Sequence, residues 1–158
     1  MSSQLAEIHA RLNAKGATVG VAESLTGGLL TAALTETAGA SSTVRGGLVV
    51  YATDLKAALA GVDRVLLDER GAVDPDVASA LARGACERLG ATYGVGVTGV
   101  AGPDCQDGKA VGTVFGAVVG PEGEAGQSWL FSGTRADIRA AAVQGCLGLL
   151  LAECLRAP

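Results

Sequence analysis

Leu5, Ile8 and Leu12 recur at helical spacing and stop at Lys15-Gly16, which predicts an amphipathic helix over 3–15 ending on a glycine. Ala17 to Ala22 is short, apolar and rich in β-branched residues, the pattern of a strand, and from Ser24 the spacing turns helical again to about Thr37. Leu48-Val49-Val50-Tyr51 predicts a second strand, Thr53 to Leu59 a short helix, and Pro75 to Leu89 a longer one with Asp74 as N-cap and the proline in its first turn. A third strand runs over Ala91 to Thr98 into the loop Gly99-Val100-Ala101-Gly102-Pro103. Val111 to Val119 and Gln127 to Phe131 then read as a hairpin across Pro121-Glu122-Gly123. The segment from about Arg135 to Leu155 is helical and apolar on nearly all sides, which implies burial against the sheet or a partner subunit.

Strands alternating with helices predict an α/β chain, a three-layer α/β/α sandwich around one mixed, mostly parallel sheet. The 158 residues suit one domain, and no repeat, linker or low-complexity tract interrupts them. Although 49% of the residues are hydrophobic, no uninterrupted apolar run reaches the roughly 20 residues of a membrane span. The first residues have neither a basic start nor an apolar core. Both points lead to the expectation of a cytoplasmic protein without a membrane partner.

A net charge of -4 with no Lys/Arg cluster argues against a nucleic-acid partner. Cys86, Cys105, Cys146 and Cys154 form no C-x-x-C pair and three fall in predicted helices, so neither a metal site nor a disulfide framework is expected. The 24 glycines are about twice the average usage, for which tight turns at a ligand and a codon bias are both sufficient reasons.

His9 is the one histidine, and its place in the first helix predicts a surface or boundary residue rather than a member of a Ser-His-Asp triad. The lipase-type G-x-S-x-G elbow and the G-x-x-x-x-G-K phosphate loop are both absent. Lys56, one of three lysines, follows the second strand, and Ser24 follows the first. Two consecutive strands joined by a helix are usually parallel neighbours, and open α/β sheets bind ligands beyond their carboxyl ends. Ser24, Tyr51, Lys56 and Thr98 are therefore expected to converge there. The alternatives are a solvated Lys56 and a Ser24 that merely caps a helix. If Ser24 does open a helix, the unsatisfied N–H groups of that helix start would hold a developing oxyanion, and Gly27 and Gly28 would allow a substrate or another backbone to approach, a packing contact being the alternative.

The segments Ala22-Glu23-Ser24-Leu25-Thr26-Gly27-Gly28, Arg45-Gly46-Gly47 through Tyr51 and Lys56, Thr98 to Pro103, Val111-Gly112-Thr113-Val114, and Phe131 to Arg135 together resemble the CinA C-terminal domain family, in order and over about residues 3–155. That family includes nicotinamide-nucleotide amidohydrolases. The resemblance implies a three-layer α/β/α fold and a serine-lysine enzyme that takes nicotinamide mononucleotide to the nicotinate nucleotide and ammonia, with no cofactor and no metal. By matched motif, Ser24 is the nucleophile, Lys56 its base, and Tyr51 and Thr98 hydrogen-bonding partners. Thr26, Gly27, Gly28, Arg45, Gly99, Ala101, Gly102 and Arg135 form the substrate site, with Arg45 and the glycine-loop N–H groups as expected phosphate donors. A neutral base also needs the lysine's pKa lowered by burial or a nearby cation, for which Arg45 is a candidate, with a surface role as the alternative. A homo-oligomer, a dimer first, is expected with it. Two places depart from the family's pattern: Asp74 stands where serine is usual, and Asp104 to Ala110 replaces a glycine-rich stretch. No molybdopterin-binding-like N-terminal domain is expected in these residues, nor its activity. The rival readings are a catalytically silent nucleotide-binding module and an interaction domain.

Overall fold

The computed structural model describes residues 2–157. The elements are α1 (Ser2–Lys15), β1 (Val19–Glu23), α2 (Leu29–Thr35), a 3-10 turn (Ala40–Ser42), β2 (Val44–Val49), α3 (Thr53–Ala60), α4 (Arg64–Arg70), α5 (Pro75–Leu89), β3 (Tyr93–Gly99), β4 (Thr113–Gly120), β5 (Gly123–Leu130) and α6 (Arg135–Leu155). One five-stranded sheet has the order β2-β1-β3-β4-β5. The β1–β2 and β1–β3 pairs are parallel and the β3–β4 and β4–β5 pairs antiparallel. The sheet is mixed as expected, and its pairs divide evenly between parallel and antiparallel, because β4 joins β3 antiparallel as well as pairing with β5 in the hairpin.

The three layers follow from side-chain alternation on the two central strands. Val19, Val21, Tyr93, Val95 and Val97 pack with α1, α2 and α6 in one core. The intervening positions, Gly20, Ala22, Gly94 and Gly96, face α5. A Cβ at Gly94 would overlap the Ala82 carbonyl, and one at Gly96 the Ala78 carbonyl. The glycines on this face therefore serve close helix-to-sheet approach, a cause beyond the tight turns and codon bias that the composition suggests. Asp74 caps α5 as expected, accepting from the Asp76 N–H at 2.8 Å and pairing with Arg70 at 2.9 Å.

The helix expected from Ser24 starts only at Leu29. Gly27 (φ 57°) and Gly28 (φ 104°) hold left-handed backbone, which makes residues 24–28 a turn. The short α4, capped by Asp63, was not anticipated. Among the described helices α6 has the length and apolar composition of a membrane span, yet about 50% of that window is buried, against α1 and the sheet, as in a core helix.

The chain leaves β1 through α2 toward the α1–α6 face and leaves β2 through α3 toward the α5 face. The carboxyl ends of β1 and β2 thus turn apart and open a crevice between them.

Candidate active site

Ser24 lies in that crevice as the first residue past β1. Its N–H donates to the Val97 carbonyl at 3.1 Å, so β3 fixes its backbone. Lys56, on the first turns of α3, returns its side chain into the same place and is 1% exposed, with no carboxylate in ion-pair contact among the described residues. Its Nζ is 3.0 Å from Ser24 Oγ, 2.9 Å from the Val50 carbonyl and 3.1 Å from the Tyr51 carbonyl. Burial lowers its pKa from 10.5 to about 8, against the opposing pull of Asp107. At pH 7 about one molecule in ten is then the free amine.

Geometry gives that neutral form one arrangement. A free amine has two hydrogens and one lone pair. The carbonyls of Val50 and Tyr51 can only accept, so they take both hydrogens and leave the lone pair facing the Ser24 hydroxyl, the one partner able to donate. Ser24 and Lys56 are in contact as expected.

A cleft of about 350 Å³ opens above the pair, lined among others by Tyr51, Thr53, Val73, Thr98, Ala101 and Arg135. Thr98 is buried and donates its hydroxyl to the Ala72 carbonyl at 2.8 Å, pinning the strip before α5 that forms one wall. Tyr51 is 60% exposed; its backbone carbonyl holds Lys56 and its hydroxyl meets Arg135 at 3.1 Å. Arg135 also donates to the Gly102 carbonyl at 2.6 Å and so bridges two rims of the cleft. Gly99, Ala101 and Gly102 line it, but the neighbouring Val100 N–H is spent on the Thr113 carbonyl.

Arg45 is not at this site. It stands at the start of β2, whose first residues pair with Val19 and Gly20 at the amino end of the sheet. Its Nε donates to the Leu89 carbonyl at 2.9 Å, at the carboxyl end of α5, a favourable place for a cation. Arg45 thus neither reaches a substrate in the cleft nor lowers the pKa of Lys56, which burial accounts for. The expected oxyanion donors at a helix start on Ser24 are also corrected. The Leu30 and Thr31 N–H groups that begin α2 donate to the Glu23 carboxylate at 3.1 and 3.0 Å, and Gly28 N–H does so at 2.9 Å.

His9 is buried, against expectation, and joins the Leu34 carbonyl (3.0 Å) to the Thr43 hydroxyl (2.6 Å), away from Ser24. Thr26 is fully buried and its hydroxyl has no hydrogen-bond partner among the described residues.

Several residues of the site were not anticipated. Glu23, the last residue of a buried strand, had a signal: a carboxylate in an apolar run must find donors. Asp107 and Gly108, at φ 52° and 72°, make a tight hairpin turn between Gln106 and Lys109, which the Asp-Gly dipeptide announces. Asp107 accepts from the Ala72 N–H at 2.8 Å, and Asp104 and Gln106 thereby reach the cleft. Arg139 contacts the Ser24 turn from α6, donating to the carbonyls of Leu25 at 2.9 Å and Thr26 at 3.3 Å.

Residues 2–154 match the family model described as the CinA C-terminal domain. A "CinA-like protein" of Frankia casuarinae is 49% identical over 136 residues, 86% of this chain and 31% of that protein. A "putative competence-damage inducible protein" of Bacillus subtilis is 40% identical over 138 residues, 87% of this chain and 33% of that protein. The chain spans about a third of the length of these relatives. Among solved structures, the competence/damage inducible protein CihA of Agrobacterium tumefaciens superposes with a TM-score of 0.91 at 37% identity, over 95% of this chain and 93% of that one. The competence damage-inducible protein A of Klebsiella pneumoniae reaches 0.94 at 28% identity, over 99% and 98%. With the family model matched over nearly its whole length, the chain belongs to the CinA C-terminal domain family.

Proposed function

We propose that this domain is a serine-lysine amidohydrolase acting on the carboxamide of nicotinamide mononucleotide. The observation that carries the reading is the buried Lys56 amine, held by two carbonyls with its remaining position against Ser24 Oγ at 3.0 Å. A structural lysine gains nothing from burial without a carboxylate; a base needs its charge suppressed.

In the reaction, neutral Lys56 takes the hydroxyl proton as Ser24 Oγ attacks the amide carbon. The tetrahedral adduct collapses as Lys56 returns that proton to the amide nitrogen, which leaves as ammonia. Water then attacks the ester carbonyl, Lys56 accepts its proton and passes it to Ser24 Oγ, and the nicotinate nucleotide departs. Thr98 and Asp107 hold the wall formed by residues 72–73, and the Arg135 guanidinium at the rim takes the phosphate role that Arg45 is placed too far away to fill.

Phosphate binding remote from the reacting carbon supplies transition-state energy. The test is ammonia and product analysis with the mononucleotide, the riboside and free nicotinamide. The mononucleotide is expected to exceed the riboside by more than about tenfold in kcat/KM, with nicotinamide almost inert. No ammonia from any of the three overturns the substrate; equal rates overturn phosphate selection.

A further inference from the structure

The turn after β1 invites a full account of its backbone donors, since buried N–H groups almost always have a partner. Ser24 N–H goes to Val97, Gly27 N–H to the Ser24 carbonyl at 3.0 Å, and Leu29 N–H to the Thr26 carbonyl at 3.0 Å. Gly28, Leu30 and Thr31 N–H groups all go to the Glu23 carboxylate. From residue 24 to 31 only the N–H groups of Leu25 and Thr26 lack an acceptor among the described residues. They belong to the two residues that follow the nucleophile, and Leu25 lines the cleft.

Their direction is also set. In a trans peptide the C=O and the next N–H point opposite ways. Arg139 Nε holds the Leu25 carbonyl at 2.9 Å, which turns the Thr26 N–H away from α6; Gly27 N–H holds the Ser24 carbonyl, which fixes the Leu25 N–H likewise. The second Arg139 bond, Nη2 to the Thr26 carbonyl at 3.3 Å, stops the next peptide from flipping.

We infer that the Leu25 N–H, at the cleft, is an oxyanion donor for Ser24 and that Arg139, by holding the Leu25 and Thr26 carbonyls from the α6 side of the turn, is the positioning residue that steadies it. This rests on the serine-lysine reading but not on the identity of the amide.

A fluorophosphonate probe tests it without the natural substrate. Ser24 Oγ forms a bond to phosphorus, fluoride leaves with the P–F electron pair, and the hydroxyl proton passes to Lys56, while the phosphoryl oxygen gains the charge that the Leu25 N–H would stabilise. Wild type is expected to label at Ser24, and Ser24→Ala not at all. Arg139→Met is expected to lower the maximal labelling rate by about a hundredfold with the probe's half-saturation little changed, the size of losing an oxyanion donor. Arg139→Lys retains a cation and a donor, so it is expected to recover part of the rate and also serves if the methionine variant does not fold. A wild-type maximal rate in either variant, a loss confined to half-saturation, or wild type unlabelled at Ser24 would overturn the inference. Wild type that labels in an Arg139-dependent way yet leaves nicotinamide mononucleotide intact would sustain the oxyanion donor and overturn only the substrate.

Discussion

Burial of Lys56 has a thermodynamic signature that needs no substrate. The folded protein holds this amine with a pKa of about 8, while the unfolded chain restores the ordinary 10.5. Between these values the unfolded state binds more protons, so stability rises with pH. The penalty of holding the charge is fully present below pH 8 and vanishes above 10.5. Across that window it corresponds to about 3 kcal/mol, of which about 2.5 kcal/mol falls between pH 7 and 10. Other groups titrate there too, so the comparison is with Lys56→Met, which shares every other group. Urea unfolding of both proteins from pH 7 to 10 is expected to show wild type gaining about 2.5 kcal/mol relative to the variant, a relative midpoint shift on the order of 1 M. Parallel stabilities would mean that Lys56 titrates alike folded and unfolded, and a buried base at pH 7 would have no support. The same titration predicts kcat/KM falling about tenfold per pH unit well below pH 8 and levelling above it.

Asp107 opposes the lowering of the Lys56 pKa, so Asp107→Asn should move that limb of the kcat/KM profile to lower pH; a shift upward or none would remove its charge from the account. Gly96→Ala, whose Cβ would overlap the Ala78 carbonyl, should destabilise the fold by about 3 kcal/mol in chemical unfolding, and a neutral result would show that α5 can retreat from the sheet. Arg45→Ala should leave kcat/KM for the mononucleotide and the riboside unchanged, at a stability loss below about 1 kcal/mol, because Arg45 serves the end of α5; a selective loss on the mononucleotide would return it to the substrate site.

What was legible in the sequence was local chemistry. Asp74-Pro75 marks the start of α5 because cap and proline act within one turn, and Ser24 and Lys56 could be placed together because parallel neighbours share a carboxyl end. Arg45 was misplaced because β2 begins at Val44 rather than Leu48. Six residue steps, most of them along β2 at about 3.3 Å each, then carry the chain from Arg45 to Tyr51, so the two lie near opposite ends of the sheet. The Ser24 turn was read as helix because its hydrophobic spacing continues through Gly27 and Gly28, while the left-handed backbone there depends on Glu23 and Arg139, one strand-bound and the other more than a hundred residues away. The glycines of β3 gave no local sign of their purpose, since only the approach of α5 reveals it.

In the proposed reaction Ser24 forms the covalent bond to the acyl group, activated by the Lys56 amine 3.0 Å away. The direct test is to quench wild type and Ser24→Ala during turnover of nicotinamide mononucleotide, weigh the peptide that carries residue 24, and follow ammonia in parallel. Wild type should release ammonia and show the acyl mass on Ser24, and Ser24→Ala should show neither; ammonia released by Ser24→Ala at the wild-type rate would contradict the account.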